Sequence, residues 1–136
     1  MQIEYRPEKY KSVKCDQLVF PIFKDDRIDS ALLRDLNSTT KGLLKSVLAS
    51  KEFIPELHKT CRFHNPGGLK ARSLLLVGAG KKSELSPARL REIAGTGVRI
   101  ARSNACGTIA FMIRGIQASG LAARVATEGA VYADYE

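Results

Sequence analysis

The sequence predicts an α/β domain, and three stretches carry that prediction. Ser73-Leu74-Leu75-Leu76-Val77 is an apolar run of strand length that passes straight into Gly78-Ala79-Gly80-Lys81. Ser86-Pro87 then opens an amphipathic helix, and Thr108 to Ile113 is a second apolar strand. Strand, turn, helix and strand in that order place a sheet under helices, with both apolar strands central and covered on each face.

The earlier elements follow from local pattern. Gln2 to Arg6 alternates, with Ile3 and Tyr5 on one face, and Pro7 stops it, which describes an edge strand. Asp16 to Phe23 is a second strand, in which Pro21 implies a bulge or an edge position. After Lys24-Asp25-Asp26, Asp29 or Ser30 can cap a helix carrying Leu32, Leu33 and Leu36. Asn37-Ser38-Thr39-Thr40 interrupts it, and Gly42 to Ser50 resumes with Leu43, Leu44, Val47 and Leu48 as its stripe. Leu57 to His64 reads as a polar strand, and Asn65-Pro66-Gly67-Gly68 as the turn of a hairpin leading to Ser73.

In the second half, Ser86 caps a helix with Pro87 at its first position, where the missing N–H costs nothing. Leu90, Ile93, Ala94, Gly97, Val98, Ala101 and Ala105 form its inner face; Arg89, Glu92, Thr96, Arg99 and Ser103 lie opposite. Ile116 to Tyr132 is predicted helical, with Leu121, Ala122, Val125, Ala126, Gly129 and Tyr132 inward. The end at Glu136, with no constellation able to do chemistry before it, suggests a module of something larger.

At 136 residues, 44% of them apolar and 26% charged, the chain is expected to be one globular domain over 1–136. Its start has neither the basic nor the apolar region of a signal peptide, and no apolar run approaches the roughly 18 residues of a membrane span. Cys15, Cys61 and Cys106 are widely spaced and fit small buried residues in a reducing compartment, so the expected address is the cytoplasm. The net charge of +8 raises a nucleic-acid partner, but the basic residues are spread from Arg6 to Arg124. A solvated basic surface is the preferred explanation.

Several constellations invite chemistry. Gly78-Ala79-Gly80-Lys81-Lys82-Ser83 suggests phosphate binding, yet a P-loop needs a glycine where Leu75 stands. A dinucleotide fingerprint needs one at Ser83 and an immediate helix. A tight turn is the better explanation. His58, Cys61 and His64 have zinc-like chemistry, but on one strand His58 and His64 would lie about 20 Å apart and Cys61 would face the other way. Neither histidine has a flanking carboxylate to orient it, and no nucleophile elbow occurs. Asp25, Asp26 and Asp29 lack the glycine and glutamate of a calcium loop and read as a turn and a helix cap.

Ala71-Arg72-Ser73-Leu74-Leu75-Leu76-Val77-Gly78-Ala79-Gly80-Lys81 with its following helix resembles the N-terminal domain of the cytosolic leucyl aminopeptidases, the M17 metallopeptidase family. So does the tail from Glu128 to Tyr135, which in that family is the helix leading toward the peptidase domain. Gly42-Leu43-Leu44 with Phe53, and Asp16 to Phe20, add looser matches. The resemblance implies a macro-domain-like three-layer α/β/α sandwich with a mixed sheet. It implies a parent that is a hexameric aminopeptidase with two divalent metals, zinc or manganese, releasing N-terminal residues from peptides.

The family's metal ligands and its signature Asn-Thr-Asp-Ala-Glu-Gly-Arg belong to the C-terminal peptidase domain, the partner expected for this one. No catalytic, cofactor or metal residue is therefore carried over, and ADP-ribose binding is not implied. The first functional reading is a non-catalytic accessory domain that assembles and shields the parent. The alternatives are a basic nucleic-acid-binding module, since some relatives double as DNA-binding regulators, and a phosphate or nucleotide reader at the glycine turn. Lys81, Lys82, Arg89, Arg99 and Arg102 are the candidate basic surface, with weak or no nucleic-acid binding expected and no membrane partner.

Overall fold

Gln17–Ile22 is buried at every position, and so is Ser73–Gly78, so both strands must be covered above and below. The computed structural model, which describes residues 2–6, 10–112, 114 and 130–134, shows how. The elements run β1 (Gln2–Arg6), β2 (Gln17–Ile22), α1 (Ala31–Thr39), α2 (Leu43–Ala49) and β3 (Thr60–His64), then β4 (Ser73–Gly78), α3 (Pro87–Ser103), β5 (Thr108–Met112) and β6 (Ala130–Asp134). The six strands form one sheet in the order β1-β6-β5-β2-β4-β3. Pairing is parallel between β2 and its neighbours β4 and β5, and antiparallel elsewhere. The sheet is mixed, and β4 and β5 are interior as predicted.

Strand alternation sends the side chains to two separate cores. Leu18, Phe20, Ile22, Leu74, Leu76, Ala110 and Met112 pack with Leu33, Leu36, Leu44 and Val47 of α1 and α2. Val19, Leu75, Val77 and Ile109 pack with Ile93 and Ala101 of α3 on the other face. The result is three layers. Gly97 sets the α3 distance: a Cβ there would lie 2.8 Å from a Val19 methyl.

Ser86 caps α3 by accepting the Arg89 amide, with Pro87 in the first turn. The predicted hairpin also forms: Asn65 and Gly68 take left-handed backbone, and the Asn65 amide donates to the Arg72 carbonyl at 2.7 Å. Of the two caps offered for α1, Ser30 occupies the position, but its side chain makes no capping hydrogen bond.

Five local expectations need correction. Pro21 lies in an interior strand without a bulge. The Ile22 carbonyl accepts from Ala79 on the β4 side, so by alternation the missing Pro21 N–H faces the β5 side, where pairing has ended at Val19. Thr96 is buried, because its hydroxyl donates to the Glu92 carbonyl and meets His58. Ala105 is not on the inner face of α3; it follows the helix, exposed, with φ 56°. The third strand begins at Thr60, and Leu57–Lys59 is a turn. Ala130–Asp134 is a strand between β1 and β5, so the helix expected through Tyr132 fails at its end. Residues 116–129 of that reading lie outside the described residues.

Gly78 closes this architecture where the turn before β3 crosses β4. Its amide donates to the Lys59 carbonyl at 2.7 Å, and a Cβ would fall 1.8 Å from the Glu56 carbonyl oxygen. Backbone cannot rotate away as a side chain can, so Gly78→Ala is expected to destabilise by about 1–3 kcal/mol. Gly95 in mid-α3 meets only an Arg99 nitrogen at 3.9 Å, so Gly95→Ala is expected to stabilise by roughly 0.5–1 kcal/mol. Urea denaturation of both variants checks the pair, and equal midpoints would refute the close approach at Gly78.

Candidate functional site

The C-terminal ends of β2 and β4 bring together the segments singled out from the sequence. After β4, Gly80 adopts φ +71°, the left-handed backbone that glycine tolerates. The Ala79 amide donates to the Ile22 carbonyl, and the Gly80 carbonyl accepts from Lys24. The Lys82 amide donates to Asp25 Oδ1 at 3.1 Å and holds that carboxyl below the usual carboxylate range. A short 3-10 turn at Lys82–Glu84 separates this loop from α3. The turn thus ties β4 to the loop after β2, with two of its amides engaged there.

Beneath it lies a buried ion pair. Arg114, just past β5, donates from both terminal nitrogens to the two carboxylate oxygens of Asp26 at 2.8 and 2.7 Å, and also to the Pro21 carbonyl at 2.9 Å. Their side chains are 9% and 3% exposed. Asp26 also accepts the Phe23 amide at 2.6 Å and faces Lys82 Nζ at 3.2 Å. The guanidinium stands 5.8 and 5.1 Å from the ring centres of Phe20 and Phe23, within cation–π range. Asp26 thus stabilises a turn, as expected, and holds two cations besides. Asp29 instead forms an exposed pair with Arg27.

The candidate basic residues come from the loop after β4 and from both ends of α3. Lys81 and Lys82 are exposed, with Lys82 tied to Asp26 and lying 5.7 Å from the Phe23 ring centre. Arg89 is half-buried, 3.7 Å from Glu92. Arg99 donates to the Thr96 hydroxyl at 3.2 Å, and Arg102 is exposed in the last turn of α3. Helix geometry puts Arg89 and Arg102 about 140° apart around the axis and about 20 Å apart along it.

His58, Cys61 and His64 do not converge either. His58, at φ 68°, sits in the turn before β3 with Nδ1 3.3 Å from the Thr96 hydroxyl and Nε2 3.7 Å from Glu92. Its carboxylate comes from α3, which inspection of flanking residues could not find. Cys61 packs toward the α1/α2 core. Among the described residues, no group of three His, Cys, Asp or Glu side chains is placed to hold a metal ion. The three cysteines are free, and burial pushes the Cys15 thiol up to about 12, away from reactivity. No described helix is long and apolar enough to cross a membrane.

Comparison with known proteins gives these features a context. Residues 19–136 match the family model for the N-terminal domain of the cytosol aminopeptidase family. The chain belongs to the cytosol aminopeptidase family. A probable cytosol aminopeptidase of Acidobacterium capsulatum is 39% identical over 97 residues, covering 68% of this chain and 19% of that protein. One from Solibacter usitatus is 26% identical over 136 residues, covering 100% of this chain and 26% of that protein. A solved tomato leucine aminopeptidase variant shares the fold, with a TM-score of 0.62 and 23% identity over 80% of this chain and 22% of that one. The chain spans about a fifth to a quarter of the length of these relatives.

Sequence reasoning missed the Asp26–Arg114 pair, although each partner lies within four residues of the end of an apolar strand, and the two parallel strands finish at the same end of the sheet. Asp26→Asn should destabilise this cytosol aminopeptidase domain by about 3–5 kcal/mol, because it leaves a buried guanidinium uncompensated. Replacing both partners, as Asp26→Leu with Arg114→Met, should cost less than either single change. Denaturant midpoints of Asp26→Asn, the two single changes and the double variant decide this, and strictly additive losses would show that the two residues do not act as a pair.

Proposed function

We propose that this chain is the non-catalytic accessory domain of a cytoplasmic metallo-aminopeptidase, acting in assembly and in shielding of an active site carried by a C-terminal peptidase domain. The observation that carries this reading is the match of residues 19–136 to the N-terminal domain of the family, in relatives four to five times longer than the match. Two divalent metals, zinc or manganese, and a homo-hexameric parent belong to the same proposal. The metals' chemistry would be supplied by the peptidase domain, and this chain's share is mechanical. A sheet pinned on both faces offers a rigid body for packing against a partner.

A chimera tests the role. This chain replaces the corresponding N-terminal segment of the Acidobacterium capsulatum relative, and a second form lacks the segment altogether. The chimera should keep both its assembly by light scattering and its release of leucine from a chromogenic amide. The truncated form should lose assembly. Unchanged assembly and activity after truncation would exclude the accessory role, as would amide hydrolysis by the isolated chain.

For the basic residues we favour solvated charge over a nucleic-acid interface. Supporting this, Lys82 and Arg89 each have a carboxylate neighbour, and Arg89 and Arg102 point away from one another around α3. Labelled duplex should show no retention at ~50 mM salt. A shared patch would instead bind with a slope of about 0.9 per phosphate neutralised in log K against log salt. Such binding, abolished at ~200 mM salt, would overturn the solvated reading.

A further inference from the structure

The opposite end of the sheet, where β2, β4 and β5 begin, holds a pocket of about 370 Å³ lined by Asp16, Arg62, His64, Asn65, Arg72 and Asn104 with Ala105 and Cys106. We propose that it binds a small oxyanion, a carboxylate or phosphate group, with Arg62 as its recognition fork and Arg72 as a second, exposed cation.

Gln17 is a polar side chain with no exposure at the start of β2, on the α3 face. Its amide nitrogen donates to the Gly97 carbonyl of α3 at 3.2 Å, and its oxygen accepts Arg62 Nε at 3.1 Å. A fully buried amide thereby fixes the plane of a half-buried guanidinium lining the pocket. Among the described residues, Arg62 Nη2 meets the Cys106 sulfur at 3.8 Å, a weak acceptor, and no carboxylate pairs with this cation. A pre-oriented guanidinium with spare donors suits a planar or tetrahedral oxyanion.

The charges around it leave an excess of positive sign. Asp16 is the carboxylate in the lining. Burial alone would raise its pKa, but the amides of Gly107 and Thr108 and the Arg72 guanidinium outweigh that and hold it below the usual carboxylate range. Asp16 Oδ2 accepts those amides at 2.7 and 3.1 Å, while Oδ1 lies 3.7 Å from Arg72, whose side chain is 78% exposed. The C-terminal end of α3 adds partial negative charge beside the pocket. Its last carbonyls already accept from Asn104, Ala105 and Cys106, which blunts that field. Two guanidiniums therefore face one carboxylate and a capped helix end, a balance that favours an incoming anion. The volume admits a small ligand.

Amide and side-chain NMR on the full 136-residue chain tests this, with inorganic phosphate and acetate titrated separately against sodium chloride at matched ionic strength. Saturable shifts are expected at Arg62 Nε–H, the Gln17 side-chain amide and Asn104 to Gly107. Saturation by phosphate alone would assign a phosphate class, and saturation by acetate as well a general oxyanion site. Arg62→Lys keeps the charge but loses the fork, and should weaken binding roughly tenfold or more. Arg72→Gln, at a side chain that is 78% exposed, should weaken it less and serves if Arg62→Lys fails to fold. Shifts that follow ionic strength alike for all three salts, or that both variants leave unchanged, would overturn the proposal.

Discussion

Three adjacent strands, β2, β4 and β5, are apolar toward both sides of the sheet, and the rest of the fold answers that constraint. A sheet with two hydrophobic faces is stable in water only when each is covered. The α1/α2 pair covers one and α3 the other, with Gly97 letting α3 settle onto Val19. The antiparallel strands at the flanks then take the edges away from the most apolar part of the sheet. With both faces occupied, polar chemistry is displaced to the two ends of the parallel strands. The buried ion pair lies at one end and the pocket at the other.

Those two ends differ in how their charges are satisfied. Where β2 and β4 finish, Asp26 draws in Arg114, Lys82 and the Phe23 amide, so the loops close over their own counter-ions. A Gly-rich turn at the end of a strand invites expectation of a phosphate site, but this turn binds the neighbouring loop through Ala79, Gly80 and Lys82. Where the strands begin, a buried amide steers Arg62, and no acid among the described residues pairs with it.

The sequence made the elements legible wherever a local rule acted without competition. Ser86-Pro87 declared the start of α3, Asn65-Pro66-Gly67-Gly68 declared a hairpin, and two continuous apolar runs declared interior strands. It misled where tertiary contacts override periodicity. Thr96 has the helical phase of a surface residue, yet its hydroxyl finds both the Glu92 carbonyl and His58, so burial leaves no unsatisfied group. Small residues around Gly129-Ala130 suggest a helix, but Val131 and Tyr132 are good strand residues and find partners on both sides in β1 and β5. Pro21 was misplaced because the rule against central prolines assumes a complete ladder, and here the ladder on its N–H side stops first.

Function was less legible than fold for a related reason. Asp26 and Arg114 are 88 residues apart, Gln17 and Arg62 are 45 apart, and His58 and Thr96 are 38 apart. No spacing in the chain announces such pairs; only the strand order does. The candidate basic residues show the opposite relation: Arg89, Arg99 and Arg102 are close in sequence, but helical geometry turns Arg89 away from Arg102 and Glu92 accompanies Arg89. On the proposed reading the metal chemistry belongs to another domain, and this chain then needs no catalytic spacing of its own. The close approaches at Gly78 and Gly97 hold the sheet against the turn before β3 on one side and against α3 on the other.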